Sequence, residues 1–159
     1  MKVFSMLVLV FALLACEGPA GPQGPTGESG GAASIEYPEL NMKTRQESEV
    51  VIGPGLIVRD IKWRLIDYDF ADALASEQPR RIILSYGYQF KVANNSETAA
   101  TSNIRLSFLD ADGFVIFSRA LGNQRVAPGE IYSVSLSTLT ELTSINSANA
   151  IARLTIDII

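Results

Sequence analysis

The chain has 159 residues, of which 47% are apolar and 19% charged, and this composition excludes wholesale disorder because a hydrophobic core can form. Its 13 basic and 17 acidic side chains give a formal net charge of −4, which argues against a nucleic-acid-binding protein. The absence of histidine excludes a Ser-His-Asp triad, and a single cysteine excludes an internal disulfide. We therefore expect one folded domain with appended segments and no enzyme active site.

The first sixteen residues have the pattern of an export signal. Lys2 precedes the apolar run Val3–Leu14, which as a helix would span about 18 Å and so is too short for a bilayer core of about 30 Å. The run ends in Leu-Leu-Ala-Cys at Cys16, which resembles the lipobox of bacterial lipoproteins. The resemblance implies a signal peptide over residues 1–15 and acylation of Cys16, for example by palmitate. The alternative is an ordinary signal peptide with an incidental cysteine.

Acylation at Cys16 predicts a protein held at the cell envelope, because two or three acyl chains anchor a protein stably. Glu17 after the cysteine does not decide between the inner and the outer membrane. We expect attachment to the outer membrane, and the sequence leaves open whether the protein faces the periplasm or the cell surface. An acidic chain is repelled by anionic headgroups, which favours a domain that stands off the membrane surface.

A glycine at every third position marks the segment after the cysteine. The periodic glycines are Gly18, Gly21, Gly24, Gly27 and Gly30, and proline follows the first three of them. This pattern resembles a short collagen-like tract. Two hypotheses stay open: a stiff polyproline-like spacer on a monomer, which the shortness of the tract favours, and a triple helix that makes a homotrimer. Residues 16–49 are thus predicted to form the lipidated cysteine, the stalk and a polar linker.

From Val50 to Ile159 the dominant period is two, which is typical of half-buried strands. In Arg81–Asn94 six apolar residues share one face: Ile82, Leu84, Tyr86, Tyr88, Phe90 and Val92. Alternation also predicts strands over Ile57–Tyr68, Ile104–Leu109, Phe114–Arg119, Tyr132–Leu136 and Leu154–Ile158, with the last strand between two neighbours. About seven strands predict an all-β, Ig-like antiparallel sandwich over residues 50–159.

Turn residues separate these strands. Gly53-Pro54-Gly55 and Ala127–Glu130 each predict a turn, and Asp110–Gly113 predicts a hairpin. Asn94-Asn95, which tolerates left-handed backbone, predicts the start of a loop rich in Ser and Thr. Only Phe70–Gln78 has helical composition. Leu139–Ala150 remains open between a loop and a short helix.

Three segments carry a further resemblance: Tyr86-x-Tyr88-x-Phe90, Leu106-Ser107-Phe108-Leu109-Asp110 and Val126-x-Pro128-Gly129-Glu130. Their order over residues 82–136 looks like the Ig-like FxLyD domains of bacterial envelope proteins. The resemblance implies a sandwich used as a spacer, adaptor or binding module, and it carries over no catalytic residue.

Carboxylates supply the weak ligand candidates. Asp110 and Asp112 are possible calcium ligands, but no bidentate glutamate follows, and a turn in which the aspartates bond their own backbone is the simpler interpretation. Four more aspartates near Tyr68 are predicted either to form a solvated rim or to hold a cation or a sugar: Asp60, Asp67, Asp69 and Asp72. Trp63 is predicted to lie in the core rather than to stack on a ligand.

The function expected from these features is that of a membrane-anchored, non-enzymatic binding or structural module, without cofactor, that contacts a protein or a glycan. Two alternatives stay open. One is a carbohydrate-binding or calcium-dependent accessory module, and the other is a passive trimeric scaffold that associates through the collagen-like tract.

Overall fold

The computed structural model describes residues 37–71 and 80–159, which form antiparallel strands and one short helix. In chain order the elements are β1 (Arg45–Gln46), β2 (Val50–Gly53), β3 (Leu56–Phe70), β4 (Ile82–Asn94), β5 (Ala100–Leu109), β6 (Val115–Val126), β7 (Ile131–Leu142), α1 (Ile145–Asn149) and β8 (Arg153–Ile158). The first sheet has the order β1-β3-β4-β7, with β2 also paired to β3, and the second sheet has the order β6-β5-β8. The predicted all-β antiparallel sandwich is confirmed.

The core lies between the two sheets and is formed by the alternating apolar residues. Ile61, Trp63 and Leu65 of β3 are at most 2% exposed, and the predicted apolar face of β4 is buried throughout. The Trp63 ring meets Phe108 of the second sheet edge-on, with 5.6 Å between ring centroids. Trp63 is therefore a core residue, as predicted, because strand alternation directs it toward the opposite sheet.

Several strands are longer than their apolar pattern predicted, among them β5, which begins at Ala100, and β7, which ends at Leu142. β3 extends to Phe70, and β6 continues to Val126 although alternation ends near Arg119. β6 lies at an edge of the second sheet, where its side chains beyond Arg119 are exposed or only half-buried up to the buried Val126, while the backbone pairing with β5 continues. Sequence periodicity reports burial, so it misses the paired but exposed end of an edge strand.

The predicted central position of the last strand is wrong. β8 pairs with β5 alone and forms the other edge of the second sheet. Its apolar end does not require two neighbours, because Ile158 is 37% and Ile159 52% exposed. The end of β8 instead approaches β2, where a β-carbon on Gly53 would lie 2.9 Å from Ile158 Cδ1.

A loop starts at Asn94-Asn95, as predicted, without the left-handed backbone that asparagine tolerates. Among the described residues other than glycine, a positive φ is found at Asp60. Asn94 ends β4 in extended backbone, and its side chain rather than its backbone shapes the following loop. The turns predicted at Gly53–Gly55, Asp110–Gly113 and Ala127–Glu130 are confirmed, with positive φ at Gly55, Gly113 and Gly129.

The helical predictions have mixed outcomes. Phe70 belongs to β3 rather than to a helix, and residues 72–79 of the predicted Phe70–Gln78 helix lie outside the described residues. The ambiguous segment Leu139–Ala150 divides into the end of β7 and α1. The Ser144 hydroxyl caps α1 by accepting a hydrogen bond from the Ser147 N–H at 3.1 Å. In the described part of the chain no helix is long and apolar enough to cross a bilayer.

Residues 37–49, which we call the strap, contact the sandwich. The Tyr37 ring lies 4.7 Å from the Phe70 ring, and Arg45 and Gln46 pair with Trp63 and Lys62 as β1. From Tyr37 onward the described residues therefore form one compact unit with the strands, which extends the domain beyond its expected start at Val50. The strap packs because its few apolar side chains reach the edge of the core.

Candidate functional site

The outer face of the first sheet carries a polar surface that follows from the same alternation as the core. Since Ile61, Trp63 and Leu65 face inward, the intervening Lys62 and Arg64 face outward. The strand register then aligns two rows across β3, β4 and β7. One row is Lys62, Gln89 and Ser135, and the other is Arg64, Gly87 and Ser137.

Two adjoining hollows of about 280 and 420 Å³ lie on this face, and Lys62, Gln89 and Ser135 line both of them. We call them together the trough. Its polar side chains come from β3, β4 and β7, with one from the strap: Thr44, Asp60, Lys62, Arg64, Gln89, Lys91, Ser133, Ser135 and Ser137. The trough is therefore open, shallow and hydrophilic.

Gly87 deepens the trough at its middle. A β-carbon at this position would lie 3.3 Å from Ile66 Cδ1 and 3.4 Å from Ser137 Oγ. The first distance is tighter than most contacts of a β-carbon and the second is an ordinary van der Waals contact, so even a small side chain would fill the space above the sheet. Gly87 thus leaves space at the surface of the sheet between Arg64 of β3 and Ser137 of β7.

The charges of the trough are only partly paired. Lys91 Nζ lies 2.8 Å from Asp60 Oδ2, and the hydrogen bond and charge of Lys91 lower the pKa of this carboxyl. That pair is neutral as a whole. By contrast, within the described residues the side chains of Lys62 and Arg64 make no hydrogen bond or ion pair. Two exposed cations thus stand unpaired on a chain whose formal net charge is −4.

Asp110 and Asp112 lie in the β5–β6 turn. One carboxylate oxygen of Asp110 accepts hydrogen bonds from the backbone N–H of Asp112 at 3.0 Å and of Phe114 at 2.8 Å. Gly113 has a φ of +93°, as the turn requires. The carboxylate thus organises its own turn, as the simpler interpretation of the sequence predicted.

The structure does not gather the other aspartates into one cluster. Asp60 pairs with Lys91, whereas Asp67 and Asp69 each accept a hydrogen bond from the next backbone N–H, at 2.8 Å. Tyr68 alternates with them and packs edge-on against Phe70, so it does not lie beside the aspartates as a sugar platform. Asp72 lies outside the described residues. In residues 37–71 and 80–159 no three Asp, Glu or Cys side chains are placed to hold a metal ion.

A polar cluster inside the sandwich was not predicted. Arg119 of β6 points inward and donates a hydrogen bond to Thr138 Oγ1 of β7 at 2.7 Å. Burial raises the pKa values of Tyr86 and Tyr88, and the nearby Arg119 charge opposes both shifts. The Tyr88 hydroxyl and Arg119 Nε are buried without a hydrogen-bond partner. This cluster has no accessible opening at those atoms, so we assign it to the packing of the sandwich.

The trough was also missed by sequence reasoning, although its signal was present. Alternation had already placed Lys62, Arg64 and Gln89 on the face opposite the core. The register between β4 and β7 could not be predicted from the sequence, and it is this register that places the serines of β7 beside Gln89.

The predicted lipidation site Cys16 lies outside the described residues, and so do the collagen-like glycines. No protein-family model, no curated protein and no solved structure matches the chain.

Proposed function

We propose that the protein is a membrane-anchored lipoprotein of the cell envelope whose β-sandwich is a non-enzymatic binding module, with the trough as its contact surface. The observation that carries the anchor is the position of Cys16. It is the single cysteine of the chain, and it stands directly after an apolar run that begins behind a lysine. Acylation there would leave no free thiol in an oxidising compartment.

The trough supports the binding part of the proposal. It is wide, lined by three neighbouring strands of one sheet, and rich in side chains that donate and accept hydrogen bonds. Because β3, β4 and β7 are paired along most of their length, its side chains are held on a rigid support. A surface of this kind favours recognition over catalysis, and the chain has no histidine to act as a general base near neutral pH.

Neither calcium dependence nor a trimeric scaffold gains support from a specific contact. A calcium-dependent module would use Asp110, but one oxygen of that carboxylate already accepts two backbone N–H groups. The trimeric scaffold depends on the tract around Gly18–Gly30, which lies outside the described residues. We therefore propose a monomer that the collagen-like segment spaces from the membrane.

Metabolic labelling of the full-length chain tests the anchor. Cells that express the wild type or Cys16→Ser are grown with radiolabelled palmitate, and the protein is followed in membrane and soluble fractions. We expect label and membrane retention in the wild type and loss of both in Cys16→Ser. Equal labelling of the two proteins would refute the anchor. Ala15→Gly, which keeps a small residue before the cysteine, is the control and should be labelled like the wild type.

A further inference from the structure

We infer that the trough binds an anionic glycan, that is, a hydroxyl-rich chain carrying carboxylate or sulfate groups. The inference deepens the proposed function, since it names the ligand class of the same surface. It rests on the charge of the trough, on the spacing of its polar side chains and on what its floor lacks.

Charge complementarity is the first argument. Lys62 and Arg64 are exposed and unpaired within the described residues, and they are two positions apart on one strand face, about 7 Å along β3. Asp60, the acidic side chain of the trough, is already bound by Lys91 at 2.8 Å. The free charge of the trough is thus positive although the whole chain is acidic, and an anion is the ligand that this surface attracts.

The hydrogen-bonding groups give the second argument. Ser133, Ser135 and Ser137 repeat on the same face of β7, so that their hydroxyls form a row parallel to the cations of β3. Gln89 lies between the two rows. Hydroxyl and amide groups both donate and accept, which suits a ligand with many hydroxyl groups along an extended chain.

The third argument is that the trough offers no exposed aromatic ring and no enclosed apolar pocket. Trp63 lies beneath the trough with its ring in the core, 2% exposed, so it offers no face on which a neutral sugar would stack. Apolar side chains are present at this surface as well: Ile66 Cδ1 lies beside Gly87, and Leu136, which is 46% exposed, lines one of the hollows. Because the trough is open and shallow, it does not enclose these aliphatic groups in the kind of pocket that an anchor residue of a protein partner usually fills. Charge and hydrogen bonds remain, and they favour an anionic glycan over a neutral glycan or a peptide.

Binding of defined polymers to the detergent-solubilised full-length protein tests the inference. The probes are dextran, dextran sulfate, polygalacturonate and poly-glutamate, with affinity measured by calorimetry at two salt concentrations. We expect dextran sulfate or polygalacturonate to bind, dextran not to bind, and the affinity to fall as the salt concentration rises.

Two double variants with the same change of net charge distinguish binding at the trough from nonspecific attraction of the probe to the charge of the protein. Lys62→Gln/Arg64→Gln should weaken binding by about tenfold or more, because charge-assisted hydrogen bonds are lost. Arg105→Gln/Arg125→Gln alters exposed cations of the second sheet and should change the affinity by less than about twofold. Gly87→Val fills the floor of the trough and should weaken binding without a change in net charge.

Each other outcome overturns the inference. Equal losses in the two double variants would mean that binding does not use the trough. Equal binding of dextran would remove the need for an anion, and tighter trough-dependent binding of poly-glutamate would identify an acidic peptide as the ligand class. If no probe binds, the glycan class is wrong, while palmitate labelling of Cys16 still decides the anchor separately.

Discussion

Glu47 of the strap accepts a hydrogen bond from the indole N–H of Trp63 at 2.8 Å. The same carboxylate oxygen accepts a second hydrogen bond from the backbone N–H of Leu154 at 3.0 Å. Trp63 belongs to β3 and Leu154 to β8, so a single oxygen joins the two sheets at the side where the strap runs. Arg45 contacts the same residues: its guanidinium lies 4.6 Å from the centroid of the Trp63 ring and donates a hydrogen bond to the carbonyl of Ile151.

Glu47→Ala should destabilise the protein more than Glu47→Gln. Alanine leaves the partly buried donors of Trp63 and Leu154 without an acceptor, at a cost of about 2–3 kcal/mol in the free energy of unfolding. Glutamine keeps an acceptor oxygen and should cost about 1 kcal/mol or less. Urea unfolding followed by tryptophan fluorescence measures both values. Equal values for the two variants would show that the oxygen does not join the sheets.

Asn94→Ala should be among the most destabilising polar substitutions. The buried Asn94 amide donates to the carbonyls of Thr98 and Val126, both at 2.9 Å, and its oxygen accepts from the N–H and hydroxyl of Ser96. Loss of these bonds leaves several groups unpaired, and we expect a cost of about 3 kcal/mol.

The neighbouring Asn95 provides the control for this prediction. Its side chain is exposed, so Asn95→Ala should change the free energy of unfolding by less than about 0.5 kcal/mol. Urea unfolding of both variants makes the comparison, and similar effects would contradict the role assigned to Asn94.

Stability at high pH should depend on the buried tyrosines. Burial raises the pKa values of Tyr86 and Tyr88 above the ordinary value of 10.0, although the Arg119 charge opposes the shift. The native state therefore holds these protons longer than the unfolded chain does. The resulting stabilisation is fully present below about pH 10 and is lost as the pH rises through the native pKa values.

Tyr88→Phe tests this pH dependence. The Tyr88 hydroxyl is buried without a hydrogen-bond partner, so its removal should change the stability at pH 7 by less than about 1 kcal/mol. Between pH 9 and 11 the variant should lose less stability than the wild type in urea unfolding experiments. Parallel curves for the two proteins would refute the assignment.

Gly55→Ala should cost more than Gly129→Ala. Both glycines have a positive φ, +73° and +71°, and this conformation alone costs an L-residue about 1–2 kcal/mol. At Gly55 the new β-carbon would also lie 2.6 Å from Ser96 Cβ and 2.9 Å from Ser96 N, whereas at Gly129 it would meet no atom within 4 Å. We expect Gly55→Ala to cost at least twice as much, measured by thermal unfolding, and equal costs would contradict the contact with Ser96.

Periodicity in the sequence predicted most of the fold for a clear physical reason. Each strand that faces the core alternates, so the burial of Ile61, Trp63 and Leu65 could be read directly from the chain. The order of the strands could not be predicted, because edge and central strands show the same alternation of apolar residues. For this reason β8 was predicted between two neighbours, although it lies at an edge. The packing of the strap was missed because it depends on individual contacts, such as that of Glu47 with Trp63, and not on a repeat.

The candidate site was predictable only in part. Alternation gave the outward direction of Lys62 and Arg64, but the trough depends on pairing between strands far apart in the chain. The inward position of Arg119 was likewise hidden, since a charged residue on an inner face contradicts the pattern that sequence reasoning follows.

We propose that the chain is displayed from a membrane by acylation at Cys16, and the intact mass of the protein purified from membranes tests this proposal. We expect a chain that begins at Cys16 and carries the added mass of a diacylglyceryl group, with or without a third acyl chain. A soluble protein cleaved at another position, with an unmodified thiol, would contradict it.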